Sequence, residues 1–195
     1  SSIVAGMQPF DSGEMLYKNE NYLPTSIFDA EEKGIAMIGQ EQNTLEDLTV
    51  AENIFVGKEE RFINKITVSS KKMNGEAKKI LKKLGVDKLD ARDKIKSCDF
   101  EQRKLAELAR AMYDDPQILI VDETSTALGK YGRSILYKCI ENMKKQDKTV
   151  LFISHDIDEI MEVCDRVTIL RDGEIIITLE KKDFEPRTMK QYMVG

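Results

Sequence analysis

The sequence predicts an α/β fold: a mostly parallel sheet, a helical insertion and a C-terminal β-hairpin. Three observations carry this. Ile118-Leu119-Ile120-Val121 is apolar without alternation and runs directly into Asp122-Glu123, the pattern of a strand covered on both faces that opens at its carboxyl end. Strand and helix signals alternate over residues 118–163, as parallel βαβ units require. Arg171-Asp172-Gly173 joins two apolar runs, and Asp-Gly between such runs is a strong hairpin signal.

Taken in order, Ser1 to Gly6 reads as the end of a helix stopped by glycine. Pro9 and Asp11-Ser12-Gly13 form a turn, and Glu14 to Tyr17 is a short strand. A short helix over Ile27–Lys33 closes at Gly34, and Ile35 to Gln40 is a compact apolar strand with a polar end. From Glu41 the character changes. Thr49 is placed to cap a helical turn over Val50–Phe55. Residues 58–72 are basic and mixed and are read as a loop. Ile80, Leu81 and Leu84 share one face of a helix over Glu76–Leu84 that Gly85 ends. A second amphipathic helix, Gln102–Met112, turns Leu105, Leu108, Ala109 and Met112 inward. Residues 1–40 with 116–195 thus form the α/β core, and 41–115 a helical subdomain. Beyond the strand at 118 come a helix over 133–145, a strand over Thr149–Ser154, a helix over 156–163, the hairpin strands Arg166–Leu170 and Glu174–Leu179, and a short terminal helix over Arg187–Val194.

Bulk properties narrow the function. The 195 residues are 41% hydrophobic and 33% charged, enough for one core with a small subdomain. A net charge of -5 gives no electrostatic reason to expect nucleic acid. Cys98, Cys139 and Cys164 are odd in number and widely spaced, which argues against a disulfide framework and a cysteine zinc site and suits a reducing cytoplasm. No apolar run approaches the length of a membrane span.

In open α/β sheets, ligands sit beyond the carboxyl ends of parallel strands. Two adjacent carboxylates there are costly without a cation or a shared proton. A strand followed by an acidic turn is the plainer reading of Asp122-Glu123 alone. Gln40 alone could simply cap a loop, and a lone histidine is usually a satisfied polar group. His155 is the only histidine, and Ser154-His155-Asp156 follows a buried strand, so its ring is expected at the same sheet edge as Glu123.

The order of these features is itself informative. Gln40, Asp99–Gln102 before a helix, Ile118–Glu123, His155 at a strand end, and Asp165-Arg166-Val167 before Arg-Asp-Gly fall in sequence. In this order the chain resembles the nucleotide-binding domain of ABC transporters. Gly34-Ile35-Ala36-Met37-Ile38-Gly39-Gln40-Glu41, then Leu48-Thr49-Val50-Ala51-Glu52-Asn53-Ile54-Phe55-Val56-Gly57, and the ending Met193-Val194-Gly195 are most similar to the first of two such domains in bacterial sugar importers of the ribose/galactose type.

The resemblance implies a P-loop-NTPase-like fold with ATP and Mg²⁺ as cofactors. Asp122 and Gln40 match metal-binding positions. Glu123, His155 and Gln40 match catalytic positions, with Glu123 polarising the attacking water and His155 contacting the γ-phosphate. It implies a second nucleotide-binding domain and a transmembrane permease as partners, and a cytoplasmic place on the inner face of the cell membrane. The groove near Gln40 to Phe55 would receive a permease helix. A repair or translation ATPase acting on nucleic acid is disfavoured by the acidic balance and by the sugar-importer-like segments.

Departures from the family pattern are specific. No Gly-x-x-x-x-Gly-Lys-Ser/Thr occurs in these residues, so the backbone cradle and lysine for the phosphates are expected upstream of Ser1, and the chain alone is expected to bind ATP poorly. Family spacing does not make Ser1-Ser2 that Ser/Thr. Where the family signature reads Leu-Ser-Gly-Gly-Gln, this chain has Cys98-Asp99-Phe100-Glu101-Gln102. The D-loop position is Gly129 instead of Asp, and Thr124 replaces the usual proline. Asp99 and Glu101 would set negative charge against the partner's γ-phosphate, and Phe100 would remove the room of a glycine. The composite site built on Asp99, Phe100, Glu101 and Gln102 is therefore expected to be weak or silent, and the alternative function is a structural or regulatory half of a tandem pair.

Overall fold

The computed structural model describes every residue except Gln42, Lys65 and Gly195. The chain divides into two compact units, residues 1–151 and 152–195.

The first unit opens with a helical turn in which Ala5 N–H donates to the Ser1 carbonyl and Met7 N–H to that of Ser2. β1 (Leu16–Tyr17) and β2 (Glu20–Asn21) pair antiparallel. β2 is a strand the pattern does not announce. Its cause is local: Lys18 and Asn19 both hold positive φ, the geometry of the two-residue turn that matches strand twist. α1 (Ile27–Glu32) starts on the Ser26 hydroxyl, which accepts from Asp29 N–H.

β3 (Ile35–Ile38) and β6 (Ile118–Asp122) pair in parallel, with Ile35 beside Ile118 and Ile38 beside Val121. β7 (Thr149–Ile153) completes a three-stranded sheet ordered β3-β6-β7, and its Thr149 N–H donates to the Gln117 carbonyl. Leu119, Ile120 and Val121 are fully buried, which accounts for the unbroken apolar run.

Between β3 and β6 the chain is mainly helical. α2 (Val50–Ile54) carries a capping box: the Thr49 hydroxyl accepts from Glu52 N–H, and the Glu52 carboxylate accepts from Thr49 N–H at 2.7 Å. Where a loop is expected over 58–72, the described residues carry regular structure. They hold a 3₁₀ turn (Glu59–Phe62) and the small hairpin of β4 (Ile63–Asn64) and β5 (Thr67–Val68). α3 (Ser70–Leu84) begins six residues earlier than periodicity places it, because Ser69 supplies an N-cap to Lys72 N–H. It ends at Gly85, whose φ of +77° suits a residue without a β-carbon. α4 (Phe100–Met112) packs against α2, α3 and β3. α5 (Lys130–Lys144) starts at Gly129 and buries Ile135, Leu136, Cys139, Ile140 and Met143.

The second unit has its own small core of Ile160, Ile169 and Met189. These come from α6 (Ile157–Val163), the hairpin strand β8 (Arg166–Arg171) and α7 (Pro186–Val194). β8 pairs antiparallel with β9 (Glu174–Glu180) across Asp172 and Gly173, both at positive φ. The Met193-Val194-Gly195 ending finishes on a residue outside those described.

Candidate functional site

The parallel register brings the carboxyl ends of β3 and β6 side by side, so Gly39-Gln40 follows one strand where Asp122-Glu123 ends the other. Gln40 is exposed. Asp122 and Glu123 are half-buried, and the Asp122 carboxylate accepts from the Ser1 hydroxyl at 2.6 Å. A carboxylate is a hard oxygen donor of the kind Mg²⁺ takes, and Mg²⁺ commonly uses only one or two protein carboxylates beside phosphate oxygens. The donor chemistry at Asp122 therefore fits the implied ion. Glu123 adopts φ +47°, ψ +21°, a left-handed backbone uncommon for a side-chain-bearing residue.

The two residues after Glu123 are tightly held. Thr124 and Ser125 are 2% and 0% exposed. The Thr124 hydroxyl faces three carbonyls, those of Ile38 (3.1 Å), Asp122 (3.2 Å) and Gly39 (3.4 Å). It has one hydrogen to give, and Ile38 is the nearest acceptor. A proline at this position could form none of these bonds. Arg133 Nε donates to the Leu128 carbonyl at 3.0 Å and the Ser125 carbonyl at 3.2 Å.

The altered signature is built as a helix start. The Asp99 carboxylate accepts from Gln102 N–H at 2.8 Å, and the Gln102 side-chain oxygen accepts from Asp99 N–H at 2.9 Å. Gln102 Nε2 also donates to the Lys88 carbonyl. Phe100 is 48% exposed. Glu101 turns away from this cap: its Oε1 accepts from Gly129 N–H at 2.8 Å and from Gly132 N–H at 3.0 Å. These are donors of the first turn of α5, so a carboxylate from α4 caps α5 where Gly129 has no side chain to do so. The arrangement also explains Gly132, where an added β-carbon would lie 2.7 Å from Glu101 Oε1 and 2.9 Å from Leu128 Cδ2. The charge of Glu101 is thus engaged by backbone N–H groups at a helix N-terminus, the favourable end for an anion.

Amphipathic periodicity misses two buried charged residues that bond the backbone beside Gln40. Lys104 is 1% exposed, and its ammonium donates to the carbonyls of Gly39 (2.9 Å) and Glu41 (2.6 Å) and to the Glu107 carboxylate (2.8 Å). Glu107, also buried, accepts from Asn43 N–H at 2.7 Å through its other oxygen. The only signal in the sequence is a Lys–Glu pair at i, i+3 on an otherwise inward face. Further along, Asn53 exchanges hydrogen bonds with Leu45 at both N–H and carbonyl.

His155 lies in the second unit and is exposed. Its neighbours are fixed. The Ser154 hydroxyl donates to Glu159 and accepts from Asp156 N–H, both at 3.0 Å, and the Asp156 carboxylate caps α6 through Asp158 and Glu159 N–H.

A family profile described as ABC transporter matches residues 1–126. The chain belongs to the ABC transporter family. It is 37% identical over 193 residues to the ribose import ATP-binding protein RbsA of Rhodopirellula baltica, covering 99% of this chain and 37% of that protein. It is 29% identical over 197 residues to a putative ribose/galactose/methyl galactoside import ATP-binding protein of Rhizobium etli, again covering 99% and 37%. The chain spans little more than a third of the length of these relatives. Its fold matches a nucleotide-free ATP-binding cassette from an ABC transporter with a TM-score of 0.79 at 20% identity, over 100% of this chain and 81% of the other. It also matches a dimeric cassette in a post-hydrolysis state bound to ADP and Pi, with a TM-score of 0.76 at 20% identity, over 94% and 79%. Among the described residues no helix is long and apolar enough to cross a membrane.

Proposed function

We propose that the chain forms part of the ATP-binding subunit of a carbohydrate ABC importer, docked on a membrane permease at the cytoplasmic face and paired with a second nucleotide-binding domain. The observation that carries this reading is the convergence of Gln40 and Asp122-Glu123 at adjoining strand ends, in a chain whose relatives are named as ribose and galactoside import proteins. Asp122 and Gln40 would hold Mg²⁺, which supplies charge neutralisation on the phosphates. Glu123 orients the attacking water, and His155, on the short, capped link between β7 and α6, matches the position that contacts the γ-phosphate in the family.

The two composite sites of such a pair are unequal. The site served by Glu123 keeps its acid. The site that receives this chain's Asp99-Phe100-Glu101-Gln102 meets a helix start whose carboxylates are already engaged and which lacks the signature's serine and glycines. A specific observation therefore favours the second reading for that half alone: it is structural, and turnover runs through the other.

The test is ATP hydrolysis by the intact subunit with its permease. Glu123→Gln is expected to lower turnover by two orders of magnitude or more while ATP still binds. Replacing the Walker lysine of the partner domain is expected to leave turnover nearly unchanged. Unaltered turnover in the first variant, or collapse in the second, overturns the assignment.

A further inference from the structure

We propose that Lys104 and Glu107, on the helix that follows the altered signature, are positioning residues for Gln40. The peptide carbonyls on either side of Gln40, those of Gly39 and Glu41, both accept from one ammonium that is almost wholly excluded from solvent. Glu107 takes the third hydrogen-bonding direction of Lys104 with one oxygen and the Asn43 N–H with the other. A lysine has three N–H donors; all three meet an acceptor here. Two main-chain groups before and after Gln40, and a third at Asn43, are thus held by a single ion pair on α4.

Burying that pair is costly unless every donor and acceptor is used. An apolar pair would fill the same volume without the cost, but it could not grip a carbonyl. What the charges provide is a fixed backbone on both sides of an exposed glutamine. Thr124 adds a second grip on the same strand end, since its hydroxyl lies within reach of Ile38 and Gly39 while its own residue follows Glu123. Gln40, the acid tip and α4 are therefore tied through the carbonyls of Ile38, Gly39 and Glu41. A shift of α4 along its axis would be passed to the Gln40 backbone through the buried Lys104 ammonium and its bonds to the carbonyls on either side.

The holding of the loop rests on the geometry alone; its use in hydrolysis rests on the proposed role of Gln40. The experiment separates the two. Amide hydrogen exchange on the full chain would compare wild type with Lys104→Met and with the double variant Lys104→Met/Glu107→Leu. The single variant strands the Glu107 carboxylate and can fail to fold, whereas the double variant replaces the pair with apolar side chains of similar volume. Exchange across residues 38–46 is expected to rise at least tenfold, with peptides of β6 and α5 unchanged. Unchanged exchange overturns the proposal, as does a double variant that no longer folds, since the pair would then serve the packing of α4.

ATPase assays on the intact subunit with its permease give the second arm. A fall in kcat of tenfold or more with KM for ATP within threefold is the expected split, matching that of Gln40→Ala. Released exchange with unaltered kcat in both the clamp variants and Gln40→Ala would leave the clamp standing and remove Gln40 from the reaction.

Discussion

Removing the Glu101 carboxylate should expose how the altered signature and the start of α5 depend on each other. In Glu101→Ala, the N–H groups of Gly129 and Gly132 lose an acceptor at 2.8 and 3.0 Å. Gly129 is exposed, so water replaces the lost bond at little cost. Gly132 is buried, and leaving its N–H unpaired costs about 1 kcal/mol. Loss of an anion at the first turn of a helix adds roughly 0.3–1 kcal/mol. The total is about 2 kcal/mol, within the range found for caps. With a urea m-value of about 2–3 kcal/mol/M, the unfolding midpoint of the first unit should fall by roughly 0.7–1 M. Gly129→Asp provides the decisive control. Gly129 has extended backbone, φ -72° and ψ -177°, which an N-cap aspartate adopts without strain. In the wild type its β-carbon would sit 3.1 Å from Glu101 Oε1, so a second carboxylate should destabilise. In Glu101→Ala the same substitution should recover about 1 kcal/mol by capping α5 from within. A midpoint that moves by less than about 0.2 M in Glu101→Ala, or a Gly129→Asp effect of the same sign in both backgrounds, would refute the reasoning.

Other perturbations test separate parts of the structure. Gly132→Ala sets a gain of about 1 kcal/mol in helix propensity against displacing the Glu101 and Leu128 side-chain ends from its β-carbon; in urea unfolding it should be more favourable in a Glu101→Ala background than in the wild type, by about 1 kcal/mol. Burial pushes the Asp114 carboxyl up, but hydrogen bonds and charge from Lys58 and Arg61 outweigh it and hold the carboxyl below its ordinary value. A carboxyl depressed in the folded state contributes stability above its unfolded pKa of about 3.9 and loses it as pH falls through the folded value. Asp114→Asn should therefore lower stability at neutral pH and flatten the acid limb below about pH 4, as read from thermal midpoints across pH. Burial also pushes the Cys139 thiol up to about 11, so alkylation at about pH 8 should proceed there only on unfolding, and rapid native labelling followed by mass spectrometry would contradict its place in the core.

The parts of the fold visible in the sequence are those that one element decides for itself. The apolar run 118–121, the Asp172-Gly173 turn and the Thr49 cap are local, and each appears where its pattern places it. The capping box of Asp99 and Gln102 is equally local, three residues apart, yet against a glycine-rich signature the charge of Asp99 stands out and its capping role does not. The roles of Glu101, Lys104 and Thr124 are not legible in this way. Besides the near partners Glu107 and Asp122, they bond to groups 28 to 86 residues away, which only the tertiary packing of α4, the start of α5 and the end of β6 against β3 brings within reach. Residues 58–72 defeat periodicity for another reason: two-residue strands and a 3₁₀ turn are shorter than the windows in which either period can be recognised.

The left-handed backbone at Glu123 makes the acid tip depend on how the two residues after it are buried. A side-chain-bearing residue in that region costs on the order of 1 kcal/mol relative to an ordinary conformation. The chain tolerates this because Thr124 and Ser125 are sealed inside immediately afterwards. The direction in which the carboxylate emerges is therefore inherited from the interior. A change of shape beneath those two residues would re-aim the acid while leaving every group around it chemically intact.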